Sequence, residues 1–351
     1  MPFRWFGGAA GPRANGYVLI KSMRPLRTER TPVGLSPASG LLLLAALWAV
    51  ASLRTDLIPL FGAETLPPAQ GQAALFSVFA ALAASIAVAQ HVEFPRGRRA
   101  WACAGIGVGL FVVPAVLAAC AQGWLSKLDQ VAVFSLAPVF AVVLEPYLQD
   151  SAPRTGKAAL ASTLSAVAGI LLLFPLDIPS SFRAGAALCA LLAAAFVVAA
   201  TNCLAVRLAH NTAGRSTLPM AALAGGASAI CFAAAAAIGP HTAWRWNALP
   251  TQLLGLLLID LPALFLLFWL MRRLDASRMT ARFLLAPLFA ILAGMALEPA
   301  SPPVRGWLGM AFLAGGAGWL LFAPPERTEA DELSLLNERT ADLPKRPPTG
   351  N

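Results

Sequence analysis

Polar residues in this chain are gathered into short runs, separated by long stretches that hold almost none. A helix crossing a bilayer needs about 20 consecutive, mainly apolar residues. Ten stretches meet that measure, at 38–60, 71–90, 100–121, 130–148, 158–176, 184–206, 217–239, 249–271, 279–297 and 303–323. Arg54 and Asp56 interrupt the first near its far end, and Arg282 lies close to the start of the short ninth. The pattern predicts an all-α integral membrane protein with ten transmembrane helices. Residues 1–37 carry six Lys or Arg among prolines and glycines and have no apolar core. They lack the layout of a cleavable signal peptide and read as a disordered cytoplasmic tail. The charged, proline-rich segment 324–351 reads the same way.

Composition agrees with this reading. Of 351 residues, 58% are hydrophobic and 12% charged, against about a quarter charged in a soluble domain. So few polar side chains cannot cover a globular surface in water. The net charge of +9 would suit a nucleic-acid partner in a soluble protein. Here topology explains it: with the N-terminus inside, 21 of the 26 Lys and Arg fall on the inner side, Arg282 counted among them. Arg54, Lys127, Arg183, Arg245 and Arg305 remain outside. That asymmetry is the positive-inside pattern and puts both termini in the cytoplasm. The bias toward Ala, Arg and Pro suggests a GC-rich bacterial genome and hence an inner membrane.

Metal and cofactor signals are absent from the sequence. Cys103, Cys120, Cys189, Cys203 and Cys231 sit inside apolar stretches with no CxxC spacing, as small packing residues do. His91, His210 and His241 fall in separate loops, and no glycine-rich run matches a phosphate loop. No cofactor and no metal are expected. The expected partners are a small-molecule substrate and the lipid bilayer, with a homodimer allowed and nucleic acid not required.

The stretches also repeat. LAPVFA at 136–141 returns as LAPLFA at 285–290, an offset of 149. Pro114–Ala115–Val116–Leu117 is answered by Pro262–Ala263–Leu264–Phe265 at offset 148. Gly156 matches Gly306 at offset 150, and Ala168–Gly169 matches Ala317–Gly318 at 149. Proline is costly inside a helix, so the shared prolines weigh more than the shared alanines. Each repeat, 38–176 and 177–323, would hold five helices. An odd number forces opposite orientations, and such inverted repeats are a common basis for alternating access.

These two Ala-Pro-[Val/Leu]-Phe-Ala copies are each followed, after an acidic residue, by Arg-x-Gly or Arg-Gly and a final apolar helix. In this the chain resembles the drug/metabolite transporter superfamily, and within it the EamA-like ten-helix permeases. The family pattern has a Gly-Glu pair about a dozen residues after the proline. Here the first copy has Glu145 early and Asp150 near that place, and the second has Glu298 without the glycine. The resemblance implies a substrate cavity lined by both halves and export of a metabolite, amino acid or drug-like compound.

Asp260, at the centre of LLGLLLIDLPALFLLFWL, is the sharpest candidate for binding a substrate ammonium or a proton. A mid-membrane Asp costs ~2.5–3.5 kcal/mol on insertion scales and usually faces a cavity or a partner. A hydrogen-bonded Asp that only ties helices together is the plainer alternative. Asn202 could contact a solute or bond between helices, and Trp48 could stack on a substrate or pack. Pro114, Pro138, Pro262 and Pro287 read either as hinges or as static bends. Glu145 and Asp150, near Arg154 and Lys157, read as a solvated interfacial cluster. A polytopic enzyme acting on a lipid-linked substrate is the competing class, and it lacks the clustered acids or nucleophile that such chemistry needs.

Overall fold

The structure is a computed structural model that describes residues 36–57, 66–148, 157–174, 181–211, 216–238, 255–297 and 303–322, with Trp244 and Gln252. The side chains of residues 52–57 and 297 are excepted. The tails, Asp150, Arg154, Gly156, His241 and Glu298 lie outside the described residues, as do the side chains of Arg54 and Asp56.

These residues are helical almost throughout, with no strand among them. The helices are α1 (Pro37–Leu57), α2 (Pro68–Ala89), α3 (Arg98–Ala121), α4 (Lys127–Leu148) and α5 (Lys157–Leu173). They continue with α6 (Phe182–His210), α7 (Leu218–Ile238), α8 (Leu256–Leu270), α9 (Ala276–Leu297) and α10 (Val304–Phe322). Among them α2, α3, α4, α6, α7 and α9 are long and apolar enough to cross a membrane. The chain is a multi-pass membrane protein. Its outward faces agree, for Ile230 is 72% exposed and Phe182 92%. Trp101 and Tyr147, near helix ends, are 80% and 82% exposed, as aromatic side chains at a membrane–water interface are.

Local chemistry sets the helix starts. Ser126 caps α4 by accepting from the Asp129 N–H at 3.1 Å, while Asp129 accepts from the Ser126 N–H at 3.0 Å. Ser181 caps α6 by accepting from the Ala184 N–H at 3.2 Å. Pro68 opens α2, where its missing N–H costs nothing.

Prolines shape the interiors. A proline inside a helix cannot bond the carbonyl four residues back and clashes with it. Ahead of Pro114 the chain widens into a π-turn, Val108–Val112, and ahead of Pro262 into another, Leu256–Asp260. Ahead of Pro138, α4 breaks at Ser135 and Leu136 between Lys127–Phe134 and Ala137–Leu148. Pro287 lies inside the second piece of α9, Arg282–Leu297, which follows a break at Ala281.

The most extensive packing joins helices five apart in chain order. The pairs α2–α7 and α5–α10 make the most extensive contacts, and α1 packs on α9 as α6 packs on α4. Close approach needs glycine at specific points. A Cβ on Gly316 of α10 would overlap the Ser162 carbonyl of α5, and one on Gly107 of α3 would overlap the Ala224 carbonyl of α7. A phenylalanine group, Phe76 with Phe111 and Phe232, and Phe79 with Phe265 and Phe268, fills the space between α2, α3, α7 and α8.

Candidate functional site

The repeat reaches further than the prolines. Residues 132–141 read AVFSLAPVFA and residues 281–290 read ARFLLAPLFA, at the offset of 149. The one charge in either segment is Arg282, standing where the first copy has Val133.

Arg282 is 2% exposed. It opens the second piece of α9, so its side chain turns back over the break at Ala281. Its Nη1 donates to the Met279 carbonyl at 2.9 Å, at the end of the first turn of α9. Its Nη2 donates to Asn202 Oδ1 on α6 at 3.0 Å. The guanidinium carbon lies 5.1 Å from the centre of the Trp48 ring on α1 and 4.8 Å from that of Phe283. Phe134, the repeat equivalent of Phe283, stacks on it at 6.3 Å with 18° between planes. Asn202 is itself fully buried, and its Nδ2 donates to the Val198 carbonyl at 2.7 Å, which holds Oδ1 toward the arginine.

This arrangement offsets much of the cost of burying a cation, which is several kcal/mol for an unpaired ion. Hydrogen bonds to charged groups contribute about 1.5–3 kcal/mol each, and a desolvated cation–π contact up to ~2 kcal/mol. It does not complete the arginine's needs. Nε has no hydrogen-bond partner, and no carboxylate among the described residues pairs with the guanidinium.

Two residues singled out from the sequence, Asn202 and Trp48, therefore meet at a third, which the sequence alone places among the inner-side charges. Asp260 is not a partner of Arg282. It ends the π-turn of α8, half-buried, and that turn packs along α1, the helix that carries Trp48. Pro262 borders a cavity of about 750 Å³ between α1, α7 and α8, with Leu47, Phe265 and Trp269 in its wall and Arg272 and Arg273 at its edge. Pro114 and Pro138 are buried, and Pro287 is half-buried.

Glu145 differs from its expected solvated setting, for it is 2% exposed. Its Oε1 accepts from the Ala276 N–H at 3.0 Å, and Ser277 lies beside the carboxylate. It thus occupies the start of α9, where backbone N–H groups have no partner within the helix. Oε2 closes no hydrogen bond of its own. Nearby, Arg207 Nη1 donates to the Leu148 carbonyl at 3.0 Å and ties the end of α6 to the end of α4.

No protein-family profile matches the chain, and no curated protein matches it. Nineteen chains of solved structures do match. One, described only as "Crystal structure of protein", aligns with a TM-score of 0.67 at 18% identity. The alignment covers 82% of this chain and 99% of that one, a likeness of fold over nearly all of the neighbour.

Proposed function

We propose that this chain is a secondary transporter of the drug/metabolite transporter superfamily, of the EamA-like kind, moving a small metabolite outward by alternating access. In this reading ten membrane helices form two inverted five-helix repeats, 38–176 and 177–323, in a bacterial inner membrane with both termini cytoplasmic.

The stacking of Phe134 on Phe283 carries the proposal. Residues related by a two-fold axis touch one another only where the axis passes, and these two occupy equivalent places in AVFSLAPVFA and ARFLLAPLFA. Three further observations support the same symmetry. The two π-turns are offset by 148 residues, each two residues ahead of its proline. The residues that open α4 and α9, Ser126 and Asp275, are offset by 149. The two most extensive helix pairs, α2–α7 and α5–α10, each join equivalent helices. An inverted repeat allows two related conformations by exchanging the roles of its halves, and a solute site near the axis is reached from either side in turn. Arg282, Asn202, Trp48 and the phenylalanine pair lie at that axis. Asp260, on the π-turn along α1, is the carboxylate we assign to proton coupling. A π-turn is a frequent mark of a functional place in a helix.

The test is untargeted mass spectrometry of medium from cells with and without the protein, and with Asp260→Asn. The account expects a solute enriched outside cells that make the protein, and a loss of the pH dependence of its export in the variant. An altered lipid or envelope product with no solute moved would favour a membrane enzyme acting on a lipid-linked substrate.

A further inference from the structure

We infer that Arg282 is the receptor for a carboxylate on the transported solute, so that the substrate class is a small organic acid with an apolar body. The use of that site for transport rests on the reading above; binding does not.

A guanidinium carries five N–H donors in a fixed fork that matches a carboxylate. Here the hydrogen bonds to Met279 and Asn202 engage Nη1 and Nη2, while Nε is buried with no acceptor. The rings of Trp48 and Phe283 favour the charge from their faces but accept no hydrogen bond in the plane of the fork. Asn202 cannot swing away to serve another edge, because its own amide is held by Val198. What remains is one unpaired positive charge with donor capacity directed at no protein group. An oxyanion is the ligand that completes it. A single guanidinium balances one negative charge, which suits a carboxylate; a phosphate dianion calls for a second cation, and no other cation is among the contacts of Arg282.

The neighbours define the rest of the ligand. Trp48 and Phe283, which face the guanidinium, and Phe134, which stacks on Phe283, are each half-buried. They come from both halves of the chain, as a site exposed alternately to each side requires. These three aromatic rings make the surroundings of the charge apolar, which suits an apolar body, and a polar body would lose its hydration against them.

The purified full-length protein is titrated in detergent with acetate, phenylacetate and indole-3-acetate, each against its own amide, following the unfolding temperature. Each acid is expected to bind at least roughly tenfold more tightly than its amide, since the amide loses the charge-assisted hydrogen bond. The two ring-bearing acids are expected to exceed acetate. Arg282→Gln is expected to erase the preference for the acid, and Arg282→Lys to keep part of it. Should Arg282→Gln fail to fold, the acid–amide comparison on the wild-type protein decides alone. Equal binding of acid and amide, or no stabilisation by any acid, overturns the inference. Flux of the same compounds into liposomes separates the two readings. Acid binding without flux contradicts the transporter and leaves the receptor standing; flux of amides with no preference for acids does the reverse.

Discussion

Helices α4 and α9 carry matching segments, AVFSLAPVFA and ARFLLAPLFA, yet they treat one position oppositely. In α4, Val133 is 1% exposed in a small apolar cluster with Ala121, Ala187 and Leu191. In α9, Arg282 is equally buried but sits among a carbonyl, an amide and two ring faces. Glu145 shows the reverse asymmetry: it is buried in the first half, and its equivalent in the second is Gly294. The frame is repeated and the charges are not. The prolines and the π-turns ahead of them recur at matched positions, while Glu145 and Arg282 have no charged counterpart and bond to α9 and to α6. In the proposed transporter, a repeated frame with unsymmetric polar groups would change shape evenly and still bind a ligand in one orientation.

The largest effect should come from forcing the symmetry. Val133→Arg would place a second cation among Ala121, Ala187 and Leu191, with no acceptor in that cluster. A cost of about 3–5 kcal/mol is expected, as for an uncompensated buried charge, read as loss of folded protein in a denaturant titration. Near-normal stability would mean that the two positions are not differently built. Next, Asn202→Ala removes the one side-chain acceptor of Arg282 and should cost about 1–3 kcal/mol. The same titration checks it, and a change below the error of the measurement would sever Asn202 from the site.

Smaller effects test the other charge and the shared frame. Glu145→Ala leaves the Ala276 N–H without its acceptor and should cost about 1–2 kcal/mol. Glu145→Gln keeps an acceptor oxygen and should cost less than half as much, a difference visible in paired melting curves. Smallest, Pro114→Ala and Pro262→Ala should each change stability by less than about 1 kcal/mol, and by the same sign, since each follows an equivalent π-turn. Opposite signs would contradict equivalence of α3 and α8.

The helices were legible because a bilayer-crossing helix announces itself by length and apolarity alone. The expected 71–90 and 100–121 correspond to α2 at Pro68–Ala89 and α3 at Arg98–Ala121. The start of α9 lies three residues before the expected 279, because the short turn Ala276–Thr280 carries Ser, Arg and Thr and looks like a loop. For the same reason Arg282 reads with Arg272, Arg273 and Arg278 as an inner-side charge. Its burial depends on Asn202, eighty residues earlier, and on Trp48 at the other end of the chain, contacts that no local window contains. Glu145 likewise looked solvated beside Arg154 and Lys157, although the partner that buries it is the Ala276 amide, 131 residues away. The π-turns left a trace in the sequence, the matched prolines, but proline specifies only that the preceding turn must yield and not how.

The central claim is that Arg282 is kept for the solute and not for the fold. Arg282→Met, a swap of similar length that removes the charge, tests it most directly. Export of the solute identified in the medium is measured alongside a denaturant titration, at equal amounts of protein in the membrane. Replacing a buried ion by a well-packed apolar side chain is often neutral for stability. The account therefore predicts stability within about 2 kcal/mol of wild type, the hydrogen bonds lost at Met279 and Asn202 included, and export reduced to background. Export at the wild-type rate, or a protein that no longer folds, would show that the arginine serves the scaffold and would contradict the account.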